Sequence, residues 1–165
     1  MGNAKKLTRL ALLTAVSLAV YLAEARLPPI APVPGIKLGL ANAVTLFALL
    51  VYGTPAAAMV SLGRILLGGF AAGSFSTLLY SLTGGAVAFA AMTAARRRAG
   101  IKRAFITGAL GGAAHNIAQL SVAAAVTETP EIFAYLPILI ASGAIAGAFT
   151  GLCAGYSAKR LGKLM

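Results

Sequence analysis

From Leu7 to Tyr156 one apolar run follows another, and most basic residues gather at the ends of those runs. That arrangement leaves few options. About 20 apolar residues cross a bilayer as a helix, so a chain of 165 residues has room for at most about six or seven crossings. Within lipid every backbone N–H and C=O must be satisfied inside the segment, which selects helices over open sheets. The expected fold is an all-α polytopic membrane protein, a single transmembrane domain over 1–165.

The charge pattern sets the count. Lys5, Lys6 and Arg9 open the chain, Arg96, Arg97, Arg98, Lys102 and Arg103 fall together in its middle, and Lys159, Arg160 and Lys163 close it. Six crossings place all three clusters on one side, as the positive-inside rule requires. Five or seven would strand one outside. The spans expected are about 7–26, 38–52, 55–72, 75–95, 104–126 and 138–156, in the cell membrane with both termini cytoplasmic. The N-terminus also has the form of a signal peptide ending near Ala23-Glu24-Ala25. A retained first helix is preferred, because cleavage would leave five spans. Thr54-Pro55 and Thr129-Pro130 read as a capping threonine followed by a helix-starting proline.

Several function classes drop out. The net charge of +11 invites a nucleic-acid reading, yet the basic residues sit in end clusters with no stacking aromatics among them, so no nucleic-acid partner is expected. The acids are Glu24, Glu128 and Glu131, and there is no aspartate. No glycine-rich run ends in Gly-Lys-Ser or Gly-Lys-Thr, so the chain carries no P-loop. We expect no catalytic residue, no cofactor and no metal site. Cys153 reads as a small buried hydrophobe.

The polar residues within the apolar runs need explaining. Arg64 falls near the middle of helix 3. A central arginine costs roughly 2.5–3.5 kcal/mol on insertion scales, so it should face the bundle interior. His115 and Gln119 lie one turn apart on helix 5 and share a face. Asn116 is offset by about 100°. Asn42 starts helix 2, and Lys37 precedes it. Together these side chains offer hydrogen-bond donors to an anionic or acceptor-rich ligand. Blander readings stand beside this one: Arg64 pairs with Glu24 or with helix carbonyls, His115 is an interior histidine, and Lys37 snorkels to the headgroups. Small residues recur every fourth position at Gly143, Gly147, Gly151 and Gly155, at Gly108 and Gly112, and at Ala11, Ala15 and Ala19. Such stripes let helix backbones approach closely in lipid.

Three segments together resemble a known family. They are Pro34-Gly35-Ile36-Lys37-Leu38-Gly39-Leu40-Ala41-Asn42 with Val44-Thr45-Leu46, Arg64-Ile65-Leu66-Leu67-Gly68, and Ala114-His115-Asn116-Ile117-Ala118-Gln119-Leu120. They resemble the Gx transporter family, often labelled heptaprenyl diphosphate synthase component I. That family is similar to the substrate-binding S components of energy-coupling factor (ECF) vitamin transporters. The resemblance covers about Leu7 to Tyr156. It implies a six-helix bundle that captures its ligand from outside, with Leu27 to Ile36 as a lid. It implies ligand contacts from Lys37, Asn42, Arg64, His115, Asn116 and Gln119. It also implies that Ala11 and Ala15 dock a transmembrane coupling subunit served by two ATPases. The family label implies, alternatively, a non-catalytic accessory subunit in prenyl diphosphate or quinone synthesis, because a chain without aspartate lacks the usual magnesium-diphosphate ligands. A stand-alone small transporter is the third possibility.

Overall fold

A computed structural model describes residues 3–24, 26, 39–73 and 75–161. Among them there are six α-helices and no strand: α1 (Asn3–Glu24), α2 (Leu40–Tyr52), α3 (Thr54–Ala72), α4 (Phe75–Ala99), α5 (Ala104–Thr127) and α6 (Leu136–Leu161). Two 3-10 helices, Ile101–Arg103 and Pro130–Tyr135, lead into α5 and α6. The expected lid at Leu27 to Ile36, and Lys37 with it, lie outside the described residues.

Among the described residues four segments are long and apolar enough to cross a membrane: Ala4–Glu24, Thr54–Ala72, Phe75–Ala99 and Pro130–Leu161. The two remaining helices fall short for different reasons. Helix α5 has the length, but His115, Asn116 and Gln119 dilute its hydropathy. Helix α2 has 13 residues, a rise of about 20 Å against a hydrocarbon core of about 30 Å. Its position explains why so short a helix survives. It packs against every other α-helix of the bundle, and Leu46, Ala48 and Leu49 are almost completely buried. A helix apolar on all sides belongs in the interior, and one walled in by neighbours need not span the lipid itself.

The outer surface is the inverse of a soluble protein's. Met59, Leu62 and Phe70 on α3 and Ile145, Phe149 and Leu152 on α6 are exposed. Hydroxyls near the surface turn back to their own helix: Thr14 Oγ1 donates to the Leu10 carbonyl at 2.9 Å and Ser121 Oγ to the Ile117 carbonyl at 2.9 Å. This is how isolated polar side chains are accommodated next to lipid. The chain is a helical membrane protein.

The tightest interface joins α5 to α6. A Cβ added at Gly108 would fall on the carbonyl oxygen of Gly147, and one at Gly112 on that of Gly143. The two backbones therefore touch, which only glycine permits. Gly143, Gly147 and Gly151 of α6 are the packing residues of this seam.

Three local expectations need correction. Thr54 is the first helical residue of α3 rather than its cap, because the link from α2 is Gly53 alone, at φ 88° and ψ −179°. Only glycine adopts that conformation readily, and it leaves no room for an extended threonine. The basic segment is shorter as a loop than expected, since Arg96, Arg97 and Arg98 belong to the last turn of α4. There they oppose the negative end of the helix dipole. Pro137 sits in the first turn of α6, directly after the 3-10 helix Pro130–Tyr135, where its missing N–H has no intrahelical partner to lose. Cys153 is exposed, because it lies off the glycine face of α6.

Arg96 does a second thing. Its Nη2 donates to the carbonyl of Leu50 at 3.4 Å, one of the last carbonyls of α2, which have no partner within the helix. Arg96→Ala is expected to lower stability by about 1 kcal/mol. Thermal unfolding in detergent should show this as a drop of about 2–4 °C.

Candidate functional site

The inward face of α1 begins the site. Leu10, Thr14, Ser17, Tyr21 and Glu24 recur at helical spacing, and Leu10 and Ser17 are buried. Ser17 Oγ donates to the carbonyl of Ala41 at 3.2 Å and fastens α1 to α2. One turn on, Tyr21 packs on α3 where Gly68 makes space for it. A Cβ at Gly68 would lie 2.9 Å from the tyrosine ring.

Arg64 reaches this place from α3. It is only 4% exposed. Its guanidinium carbon lies 5.7 Å from the centroid of the Tyr21 ring, within cation–π range. Nη2 donates to Asn42 Oδ1 at 3.4 Å, a long bond. Nε is buried and has no hydrogen-bond partner among the described residues. Glu24 does not form an ion pair with it there. The carboxylate instead accepts from the backbone N–H groups of Gly39, at 2.6 Å to Oε1, and Leu40, at 3.1 Å to Oε2.

Helix α5 supplies the facing wall. His115 and Gln119 press against Gly84 of α4, where a Cβ would come within 2.8 Å of both. Gln119 Nε2 stands 3.5 Å from the carbonyl of Tyr80, at the limit of a hydrogen bond. Tyr21, Glu24, Asn42, Arg64, Ser81, His115 and Gln119, with Gly39 and Ala41, line one small, partly open hollow. A second small hollow adjoins it between α2, α4, α5 and α6. It is floored by Gly108, Gly112, Gly143 and Gly147, and it shares Gly39, Asn42 and His115 with the first.

Of the residues singled out from sequence, Asn42, Arg64, His115 and Gln119 therefore meet at one hollow. Asn116 is turned toward α6, where its Nδ2 donates to the buried carbonyl of Leu139 at 2.7 Å, and it borders only the second hollow. Asn116→Ala is expected to cost about 1 kcal/mol of stability. A melting curve should record that loss, while ligand affinity changes less than threefold. Lys37 lies outside the described residues. Ala11 and Ala15 are exposed on the outward face of α1.

Sequence reasoning missed Tyr21 as a lining residue and gave Glu24 only a pairing role. Both were findable: they continue the spacing that begins at Leu10. Among the described residues no group of three His, Cys, Asp or Glu side chains converges. Chemically Arg64, Asn42 and Gln119 bring N–H donors to the hollow, which suits acceptor groups.

No curated protein and no solved structure matches the chain. A family model described as heptaprenyl diphosphate synthase component I matches residues 13–157. That match covers nearly all of the bundle, and the word component implies a partner subunit: the chain belongs to the heptaprenyl diphosphate synthase component I family.

Proposed function

We propose that this chain is the substrate-binding membrane subunit of an ECF-type importer. Six helices cross the plasma membrane, both termini are cytoplasmic, and a small anionic or acceptor-rich precursor enters from outside. One observation carries the reading. Arg64 is buried at high cost, yet its Nε lacks a hydrogen-bond partner among the described residues. A purely structural arginine would saturate its donors, because an unmade buried bond costs about 1–3 kcal/mol. Asn42, Gln119 and His115 border the same hollow and complete the binding face. Asn116 borders the adjoining hollow, and Lys37, outside the described residues, is taken as a further contact from the family resemblance alone. The chain does no catalysis in this reading. Ala11 and Ala15 present small side chains on an exposed helix face, to which a transmembrane coupling subunit with two ATPases docks.

Native mass spectrometry of protein extracted with its lipids tests this. A small molecule should travel with the chain, and a larger assembly should appear when the importer is intact. Ala15→Leu should dissolve the assembly and leave the small molecule bound. Absence of any retained small molecule would sink the proposal.

The family's name favours a second reading, an accessory subunit of prenyl diphosphate synthesis. The sequence has no aspartate, which favours a non-catalytic form of that role. Co-purification with a soluble prenyl synthase, without ATPases, would select it.

A further inference from the structure

Two features of the hollow point to the same spot. One is the start of α2. Its first N–H groups point away from the helix with no intrahelical acceptor, and the helix dipole adds about half a positive charge there. An anion is the natural occupant of such a place. The other is Arg64, 4% exposed, lining the same hollow as Gly39, with a buried Nε that has no hydrogen-bond partner among the described residues. What occupies the N–H groups of Gly39 and Leu40 is the carboxylate of Glu24, one oxygen on each. Glu24 thus binds as a ligand's carboxylate or phosphate would. It also ties the end of α1 to the start of α2.

We propose that the N-terminus of α2 together with Arg64 is the seat of the ligand's anionic group, and that Glu24 is its displaceable internal occupant. An incoming carboxylate or phosphate takes the two N–H groups, accepts from Arg64, and releases Glu24 with the last turn of α1. The charges make this a competition. Glu24 already fills the two N–H groups and offsets the attraction of Arg64, so a further anion gains little while Glu24 stays in place. Glu24 then also sets specificity: weak single-contact anions fail to displace it, and a group with several anionic oxygens succeeds. This inference rests on the ligand-binding reading of the hollow.

The test uses inorganic diphosphate as the probe, titrated calorimetrically into the full chain in lipid-free detergent. Glu24→Gln keeps an acceptor for one N–H and removes the charge. It should bind diphosphate at least about tenfold more tightly than wild type. Glu131→Gln, the same charge change at an exposed carboxylate, should leave affinity within twofold. Adding Arg64→Met to Glu24→Gln should abolish the gain. Unchanged or weaker binding by Glu24→Gln overturns the proposal, as does a gain that survives loss of Arg64. Wild-type protein supplies a second readout should Glu24→Gln fold poorly. In hydrogen exchange, diphosphate should speed exchange at Ala19–Glu24 and leave the first turn of α2 protected. No change at Ala19–Glu24 also overturns the proposal. Nanodiscs separate the sources of phosphate. If phosphatidylglycerol weakens diphosphate binding and phosphatidylcholine does not, a lipid headgroup reaches the same seat; if neither does, the anion is a free solute. Either result supports the seat only with the Glu24→Gln gain. Failure here with a small molecule still retained by wild type and lost from Arg64→Met would leave the binding subunit intact and remove only the role of Glu24.

Discussion

Arg64→Met is expected to abolish ligand capture while leaving stability within about 1 kcal/mol of wild type. The two halves of that result have separate causes. Removing the guanidinium relieves a burial cost of roughly 2.5–3.5 kcal/mol. It also forfeits one long bond to Asn42 and the contact with Tyr21, together worth about 2–3 kcal/mol. These terms nearly cancel. No charge is stranded, because Glu24 is held by the N–H groups of Gly39 and Leu40 rather than by Arg64. Had the arginine been one half of a buried ion pair, its loss would cost about 3–5 kcal/mol. Binding has no such compensation. Two charge-assisted bonds to an acceptor contribute about 1.5–3 kcal/mol each, so affinity should fall at least about a hundredfold. Thermal unfolding and retention of the native adduct in mass spectrometry read the two quantities on one preparation. A loss of more than about 3 kcal/mol would mark Arg64 as structural.

Gly112→Leu carries the largest expected loss of stability. The carbonyl oxygen of Gly143 occupies the space a side chain would need, and the Cα of Gly147 lies 3.2 Å from the Cβ position. No rotamer avoids a clash that begins at Cβ, so α5 and α6 must separate. In lipid no hydrophobic force offsets the lost contact, since separated helices are covered equally well by acyl chains. The Asn116 bond to Leu139 depends on the same spacing. The cost should reach or exceed about 3 kcal/mol, the upper range for overpacking. Size-exclusion chromatography should show aggregate in place of a single folded peak. Gly73→Asn is the control. Its φ of 62° is one asparagine tolerates, and a Cβ there meets nothing within 4 Å, so the melting temperature should move by less than about 3 °C.

Much of the site was legible because lipid leaves polar side chains so little freedom. Arg64, His115 and Gln119 stood out against apolar runs, and the cost of exposing them to acyl chains turned them inward. Their spacing then gave the shared face of His115 and Gln119. Asn116 was harder. At about 100° from His115 it could serve either the hollow or the neighbouring helix, and the position of α6 chose the Leu139 carbonyl. Glu24 was visible as an acid near a helix end, but which cation or dipole it served was not. A carboxylate finds its partner through three-dimensional distance, and the first turn of α2 is fifteen residues away along the chain.

Read residue by residue, the chain already specifies a bundle of helices meant for lipid. Hydrophobic length, prolines between runs and basic residues at their ends are local properties, and the bilayer converts them directly into helices. It also named the glycines that let helices touch. The folded bundle alone reveals which helix is central, that a 13-residue segment survives there, and that Glu24 sits on the start of α2 beside an arginine with which it forms no ion pair. Those outcomes depend on how helices pack around one another. In a membrane that packing rests on close fit and a few hydrogen bonds, and neither is written in the periodicity of any single segment.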